Sequence, residues 1–437
     1  MSFSIHEFTT RREKLLASMG EGIAIVPTAA EALRNRDSHY PYRFDSYFYY
    51  LTGFKEPEAL VVLIAGSAPK CILFCREKDM EREVWDGFRY GPAAAQEIFG
   101  FDEAYPFSQL DQMMPQLISN KAQLFHSLGA NAHWDIKVTH WLNQVKDLAR
   151  TGISAPEVIR DVRQLVDKQR LLKTPFEIDL MRCSANIAAH AHNRAMQKTK
   201  VGKSENEIEA EFLHEFYRKG AQAPAYTSIV AGGSNACTLH YNANNALLNA
   251  GDLLLIDAGC ELDGYASDIT RTFPVNGKFS AVQKDLYELV LAAQLAAIDV
   301  AKPQQHWNKP HEAALEILAQ GFIDFGLCQG SRDEVLESGS YRQFYMHRTG
   351  HWLGLDVHDV GDYKDPQGSW TILEAGHVLT VEPGCYVRPA ENVPEHFWHI
   401  GIRIEDDVLI TSSGNEVLSH EAIKTVADIE AQMASGK

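Results

Sequence analysis

The sequence predicts a mixed α/β (α+β) protein of two domains. An α/β domain spans residues 1–172, and residues 173–437 form a second domain in which a helix-helix-strands module occurs twice. Three observations predict this. Short apolar, strand-like runs alternate with amphipathic helical stretches up to about residue 170, the pattern of an α/β layer structure. Beyond them, paired cap residues open helices at Thr174 with Glu177, Ser204 with Glu207, and Ser280 with Gln283. Strand-like segments then follow each pair of helices, at Tyr226–Ala231 and 253–274 and again at 377–383 and 401–410.

In chain order, an amphipathic helix is expected at Ile5–Met19. Strands are expected at Gly22–Pro27, Tyr47–Thr52, Leu60–Ala65, Cys71–Cys75 and Gln123–Leu128, and a helix at Ala132–Leu148. Asp37 lies in a short polar segment and Trp85 in a charged, Gly-containing stretch read as a loop. Pro175, at the first helical position, starts a helix running to about Lys200. The helix capped by Ser204 stops at Gly220, a C-terminal glycine. In the second module one helix runs from Ser280 to before Pro303 and another from Pro310 to Phe322. Residues Ala427–Lys437 read as a frayed tail.

Bulk properties narrow the function. With 58 acids against 41 bases, the net charge of −17 argues against nucleic acid or an anionic membrane as partner. No apolar run is long enough to span a bilayer, and the charged N-terminus has no signal-peptide core. Seven scattered cysteines without a CxxC pair read as reduced thiols, so a cytoplasmic location is expected.

The stretch 253–274 carries the first chemistry. Apolar Leu253–Ile256 ends on Asp257, an acidic, Gly-containing turn follows, and Asp268 lies on the return run. In a hairpin with a two-residue loop, directly opposed residue numbers sum to an odd value, as 257 and 268 do. A Leu262-Asp263 loop would oppose the two aspartates directly, whereas an Asp263-Gly264 loop would make them diagonal neighbours on one face. Carboxylates that close repel unless a proton or cation separates them.

Further metal-type residues stand at strand ends and in Gly-flanked loops: His347 and His351, His358, Glu382 before Pro383, and Glu405 on a run where it shares a face with Arg403. Each alone is an ordinary polar residue. Together, Asp257, Asp268, His351, Glu382 and Glu405 occupy apolar contexts that carboxylates normally avoid, because burying an unpaired charge costs several kcal/mol. Two divalent cations would remove that cost. An oxygen-rich set favours Mn²⁺, with Co²⁺, Fe²⁺ or Zn²⁺ as alternatives, and points to metal-assisted hydrolysis.

At these residues the chain resembles a known family. The series IDAGCELDGYASDITRTFP, GHWLGLDVHDVG, LTVEPG and GIRIEDD resembles the dinuclear pita-bread metallopeptidases, and LHYN at 239–242 brings the resemblance nearest to aminopeptidase P. The first domain resembles the N-terminal domain of creatinase, prolidase and aminopeptidase P. The resemblance implies cleavage of Xaa-Pro bonds at peptide N-termini by a hydroxide bridging two metals. It implies Asp257 on one metal, Asp268 and Glu405 bridging, and His351 and Glu382 on the other, with Glu382 as proton acceptor. His240 and His358 would contact substrate, His347 would help seat proline, and Arg403 and Tyr386 would orient Asp257 and the water. It further implies a homotetramer, or a dimer, in which Asp37 and Trp85 reach an active site, Trp85 that of a neighbouring subunit. Arg348-Thr349-Gly350 departs from the family's small or apolar residues and places a guanidinium near the pocket. The rival reading is a prolidase restricted to Xaa-Pro dipeptides, which needs a cation for the proline carboxylate, with Arg348 the candidate. A metal-free creatinase-like hydrolase and a non-catalytic peptide-binding module are disfavoured by the complete ligand set.

Overall fold

The computed structural model describes residues 4–436. The chain divides into two compact units, the first ending at Arg170 and the second beginning at Leu171. Among the described residues no helix is long and apolar enough to cross a membrane.

The first unit is built on a six-stranded mixed sheet ordered Glu103–Pro106, Lys70–Cys75, Leu60–Ala65, Gly22–Pro27, Gln123–Phe125, Val158–Arg160. Gly22–Pro27 pairs antiparallel with Leu60–Ala65 and parallel with Gln123–Phe125. Alternate side chains, Ile23, Ile25, Val62 and Ile72 among them, pack against Met114, Trp134, Val138 and Trp141 of the helices Leu110–Ile118 and Ala132–Asp147. The expected strand at Tyr47–Thr52 is instead the helix Ser46–Thr52. Aromatic residues favour strands only where one pleated face is buried. Here nearly the whole segment is buried, Asp45 accepts from the Phe48 N–H at 2.9 Å, and Gly53 ends the turn at φ 66°. Trp85 is also helical, on Met80–Asp86 rather than in a loop, because Asp79 caps that segment through the Glu81 and Arg82 N–H groups. Asp37 is exposed between the short paired strands Leu33–Asn35 and Ser38–His39.

The second unit opens with Pro175–Lys198 and Glu205–Arg218, each with the reciprocal Ser/Thr–Glu cap read from the sequence. They precede the sheet Ile229–Gly232, Leu253–Asp257, Thr270–Pro274. The helices Ala281–Val300 and Lys309–Asp324 then precede the sheet Val378–Val381, Asp406–Ile410, Asn415–Val417. One continuous apolar core, including Phe212, Ile256, Leu286, Leu318 and Val408, runs through both modules.

Three segments depart from expectation. Tyr226–Ser228 lies outside the strand, which begins at Ile229. The run at 401–410 is two strands: Ile400–Arg403 pairs with Gly384–Val387, and Asp406–Ile410 with Val378–Val381. Its partner run is interrupted at Pro383, which has no N–H to continue a ladder. The chain changes sheet there, and the Glu405 N–H donates to the Thr270 carbonyl at 3.1 Å. The C-terminus is not frayed: Thr425 caps the helix Val426–Ser435, whose Val426, Ile429 and Met433 are buried at helical spacing.

The hairpin register decides between the two loops. Leu262 pairs with Tyr265, so Asp263-Gly264 is the loop, with φ of 49° and 84°, the doubly positive pattern of a type I′ turn. The register carries on to Asp257 opposite Thr270, leaving Asp268 diagonal to Asp257 on the same face. Gly259 permits the close approach between, since a Cβ there would lie 1.7 Å from the Ser267 carbonyl oxygen.

Candidate active site

Nine of the residues singled out in the sequence line one cavity of about 450 Å³ in the second unit: Asp257, Asp268, His351, Glu382, Glu405, His240, His347, His358 and Arg403. Tyr386 stands behind it, fully buried. Asp37 and Trp85 belong to the first unit.

Strand ends aim the carboxylates. Asp257 closes Leu253–Asp257, Glu382 follows Val378–Val381, and Glu405 sits at the sheet crossing. Arg403 Nη2 donates to Asp257 Oδ2 at 2.6 Å. The Tyr226 hydroxyl lies 2.6 Å from Asp257 Oδ1 and 2.5 Å from Asp268 Oδ1. A hydroxyl has one proton, so two such contacts require a second proton or a cation between the carboxyls. Thr270 donates to Glu405 Oε2 at 2.6 Å and accepts from Arg403 Nε at 3.1 Å.

The histidines are oriented by their second nitrogens. His351 Nδ1 donates to the Trp352 carbonyl at 2.9 Å, which turns Nε2 towards Asp268 Oδ2 at 3.3 Å and Glu382 Oε1 at 3.9 Å. His347 Nδ1 donates to the Arg348 carbonyl at 2.7 Å, and its Nε2 accepts from the Tyr386 hydroxyl at 2.8 Å. Tyr386 in turn accepts from Arg403 Nη1 at 3.0 Å. His240 and His358 are exposed on the cavity wall, His358 with its ring centroid 4.3 Å from that of His351.

The electrostatics describe a site short of positive charge. Burial and the neighbouring Asp257 raise Asp268 above the ordinary carboxylate range. Burial raises Glu382 to about 7, and burial with the nearby carboxylates raises Glu405 well above its usual value. Burial alone would raise Asp257 as well, but the Arg403 charge and the Tyr226 and Arg403 hydrogen bonds hold it below the normal range. Burial would lower His351, yet contact with Asp268 and the surrounding acids lifts it to about 9. Burial and the Arg403 charge push His347 down to about 3, so its ring is neutral. Donor atoms of Asp268, His351 and Glu405 lie within 4.8 Å of one another, close enough to meet on one cation. Four carboxyls, two buried and two half-buried and three of them raised, form the donor set that divalent cations would neutralise, so the residues fit such ions.

Sequence reasoning missed Tyr226 and Thr270. Thr270 was within reach, because its number pairs with Asp257 once the loop is placed at Asp263-Gly264. Tyr226 precedes its strand in an irregular segment with no periodic signal.

Comparison with known proteins gives a consistent picture. Residues 179–412 match the family model described as metallopeptidase family M24, and residues 8–125 match the aminopeptidase P N-terminal domain. The Xaa-Pro aminopeptidase of Escherichia coli strain K12 is 43% identical over 99% of both chains. Mouse Xaa-Pro aminopeptidase 3 is 34% identical, covering 97% of this chain and 85% of its own length. The structure of Pseudomonas aeruginosa aminopeptidase PepP superposes with a TM-score of 0.98 at 48% identity, over 99% of each chain. An alanine variant of E. coli aminopeptidase P in complex with substrate gives 0.97 at 42%, covering 100% of this chain and 99% of that one. The fold is accordingly an aminopeptidase P-type N-terminal domain followed by a pita-bread domain. The chain belongs to metallopeptidase family M24, in the branch that carries the aminopeptidase P N-terminal domain.

Proposed function

We propose that this chain is a metal-dependent Xaa-Pro aminopeptidase that releases the first residue of peptides with proline in second position. The observation that carries the reading is the convergence of Asp257, Asp268, His351, Glu382 and Glu405 on one cavity, with Arg403 and Tyr386 behind them. Asp257, Asp268, His351, Glu382 and Glu405 would hold two divalent cations, Mn²⁺ in our reading. When bound, these ions supply an acidified water as nucleophile and polarise the scissile carbonyl.

The protein's own groups do the rest. Glu382 accepts a proton at its carboxylate and returns it to the proline nitrogen, a tertiary amide nitrogen that must be protonated to leave. His240 and His358 face the substrate from the cavity wall and steady the developing oxyanion. Neutral His347 offers an uncharged surface against which the proline ring packs, and Arg403 keeps Asp257 ionised and fixed.

The same reading makes the protein a homotetramer or dimer. The helix Met80–Asp86 buries none of its residues, and Met80, Val84, Trp85 and the following Phe88 are 64–84% exposed. Such a patch is what a neighbouring copy covers, with Asp37 reaching an active site and Trp85 that of the neighbouring subunit. Sedimentation at micromolar concentration is expected to show an oligomer that Trp85→Glu weakens, and a wild-type monomer would refute this part. All seven cysteines are unpaired, which supports a cytoplasmic location.

The test of the activity compares an Xaa-Pro-Yaa tripeptide with the Xaa-Pro dipeptide at equal Mn²⁺. The tripeptide is expected to be cut with the higher kcat/KM. Cleavage of the dipeptide alone would make the protein a prolidase.

A further inference from the structure

The cavity wall carries one cation that the proposed chemistry leaves unused. Arg348 is exposed and lines the cavity beside His347. Its Nη1 donates to Asn308 Oδ1 at 2.9 Å, and its guanidinium lies 5.3 Å from the Trp370 ring centroid. Lys364 Nζ is 4.1 Å from the same ring. Both partners of Arg348 are neutral, and no carboxylate among the described residues pairs with it. The other guanidinium lining the cavity, Arg403, is buried and committed to Asp257. Arg348 therefore keeps most of its five N–H donors available while an amide and a π-face hold it in place, which lowers the entropic cost of engaging a ligand.

We propose that Arg348 anchors a subsite for a carboxylate on the leaving side of the scissile bond. The proposal rests on the aminopeptidase reading and refines its substrate class. An enzyme that removes a single N-terminal residue has only that residue on the amine side, and proline follows it at the metal centre. Whatever extends from the site towards solvent therefore lies after proline, where an exposed cation meets it. A carboxylate there is either the free C-terminus of a tripeptide or the acidic side chain of a third residue, and a guanidinium recognises both in the same way. The need is electrostatic. The chain carries a net charge of −17, so an anionic peptide is repelled on approach unless a cation offsets that field.

The test uses the Mn²⁺-loaded protein with Ala-Pro-Leu, Ala-Pro-Leu-amide and Ala-Pro-Glu-amide, each with wild type, Arg348→Met and Arg348→Lys. Amidation is expected to raise the wild-type KM roughly five- to tenfold with little change in kcat. If the third side chain is also read, the Glu-amide peptide recovers the loss. Arg348→Met removes the difference between acid and amide, and Arg348→Lys keeps part of it. Calorimetric titration of the product Pro-Leu and its amide gives the same discrimination without turnover. Equal KM for acid and amide in wild type, or a ratio unchanged by Arg348→Met, overturns the subsite. Absence of any cleavage, with Pro-Leu still preferred over its amide, refutes the proposed activity and leaves the subsite standing.

Discussion

Asp268→Asn is expected to lower kcat/KM for an Xaa-Pro tripeptide by at least about a thousandfold, and to raise the melting temperature of the metal-free protein above pH 9. The first half follows from position. Asp268 is 5% exposed, shares the Tyr226 hydroxyl with Asp257, and faces His351 Nε2 at 3.3 Å. Losing a residue that only orients a ligand typically costs 10–100-fold, and losing a carboxylate proposed to hold the cations directly is expected to cost more. The second half follows from the sign of the shift. Burial and Asp257 raise the pKa of Asp268 above its unfolded value, so its ionised form destabilises the fold. That cost is absent at low pH, where the group is protonated in both states, and grows as pH rises through the folded value. His351 offsets it while protonated, up to about pH 9. Above that pH the neutral amide keeps the Tyr226 contact and escapes the repulsion. Steady-state kinetics and thermal melts at pH 7 and 9.5 check both halves, and wild-type turnover in a folded variant would refute the role of Asp268.

This repulsion also explains which parts of the site were legible in sequence. Parity around an Asp-Gly turn placed two aspartates on one face, because strand periodicity and turn type are local properties. The diagonal relation was one of two options until the positive φ of both Asp263 and Gly264 settled the loop. Apolar runs ending in an acid flagged Glu382 and Glu405 because burying a carboxylate is costly and therefore conspicuous. Tyr226 left no such trace: a tyrosine in an irregular segment has no period, and its partners lie 31 and 42 residues away. The same limit hid the sheet change at Ile404-Glu405, which depends on Pro383 in the break between Val378–Val381 and Gly384–Val387. It also turned Ser46–Thr52 into a helix, where burial on all sides overrode aromatic strand preference. The helix Val426–Ser435 was readable from its Thr425 cap and the spacing of Val426, Ile429 and Met433, and reading it as a tail gave chain position too much weight.

EDTA is expected to abolish activity and Mn²⁺ to restore it, with an apparent affinity for Mn²⁺ that rises between pH 6 and pH 9. The pH dependence comes from the protons that the cluster holds when no cation is present. Glu382 titrates near 7 because it is buried, and His351 near 9 because Asp268 and its neighbours favour the imidazolium. Each must lose its proton before offering a lone pair, and protons on the raised Asp268 and Glu405 add to the competition, so a cation displaces more protons at pH 6 than at pH 9. Each displaced proton steepens the dependence by up to about tenfold per pH unit. Competition with a chromophoric chelator at four pH values measures this, and calorimetry in buffers of different ionisation enthalpy counts the protons released. Four carboxylates and one imidazole suit Mn²⁺ in geometry and hardness, yet Zn²⁺ binds almost any such set more tightly. The add-back must therefore start from fully stripped protein, or residual Zn²⁺ will mask the response. Binding at a hundredfold excess over Kd adds about 2.7 kcal/mol of stability, so the melting temperature rises with the activity. Full activity in stripped protein would refute metal-assisted hydrolysis. A pH-independent affinity would instead place the cation away from Glu382 and His351, because a site made of those two groups cannot bind without displacing their protons.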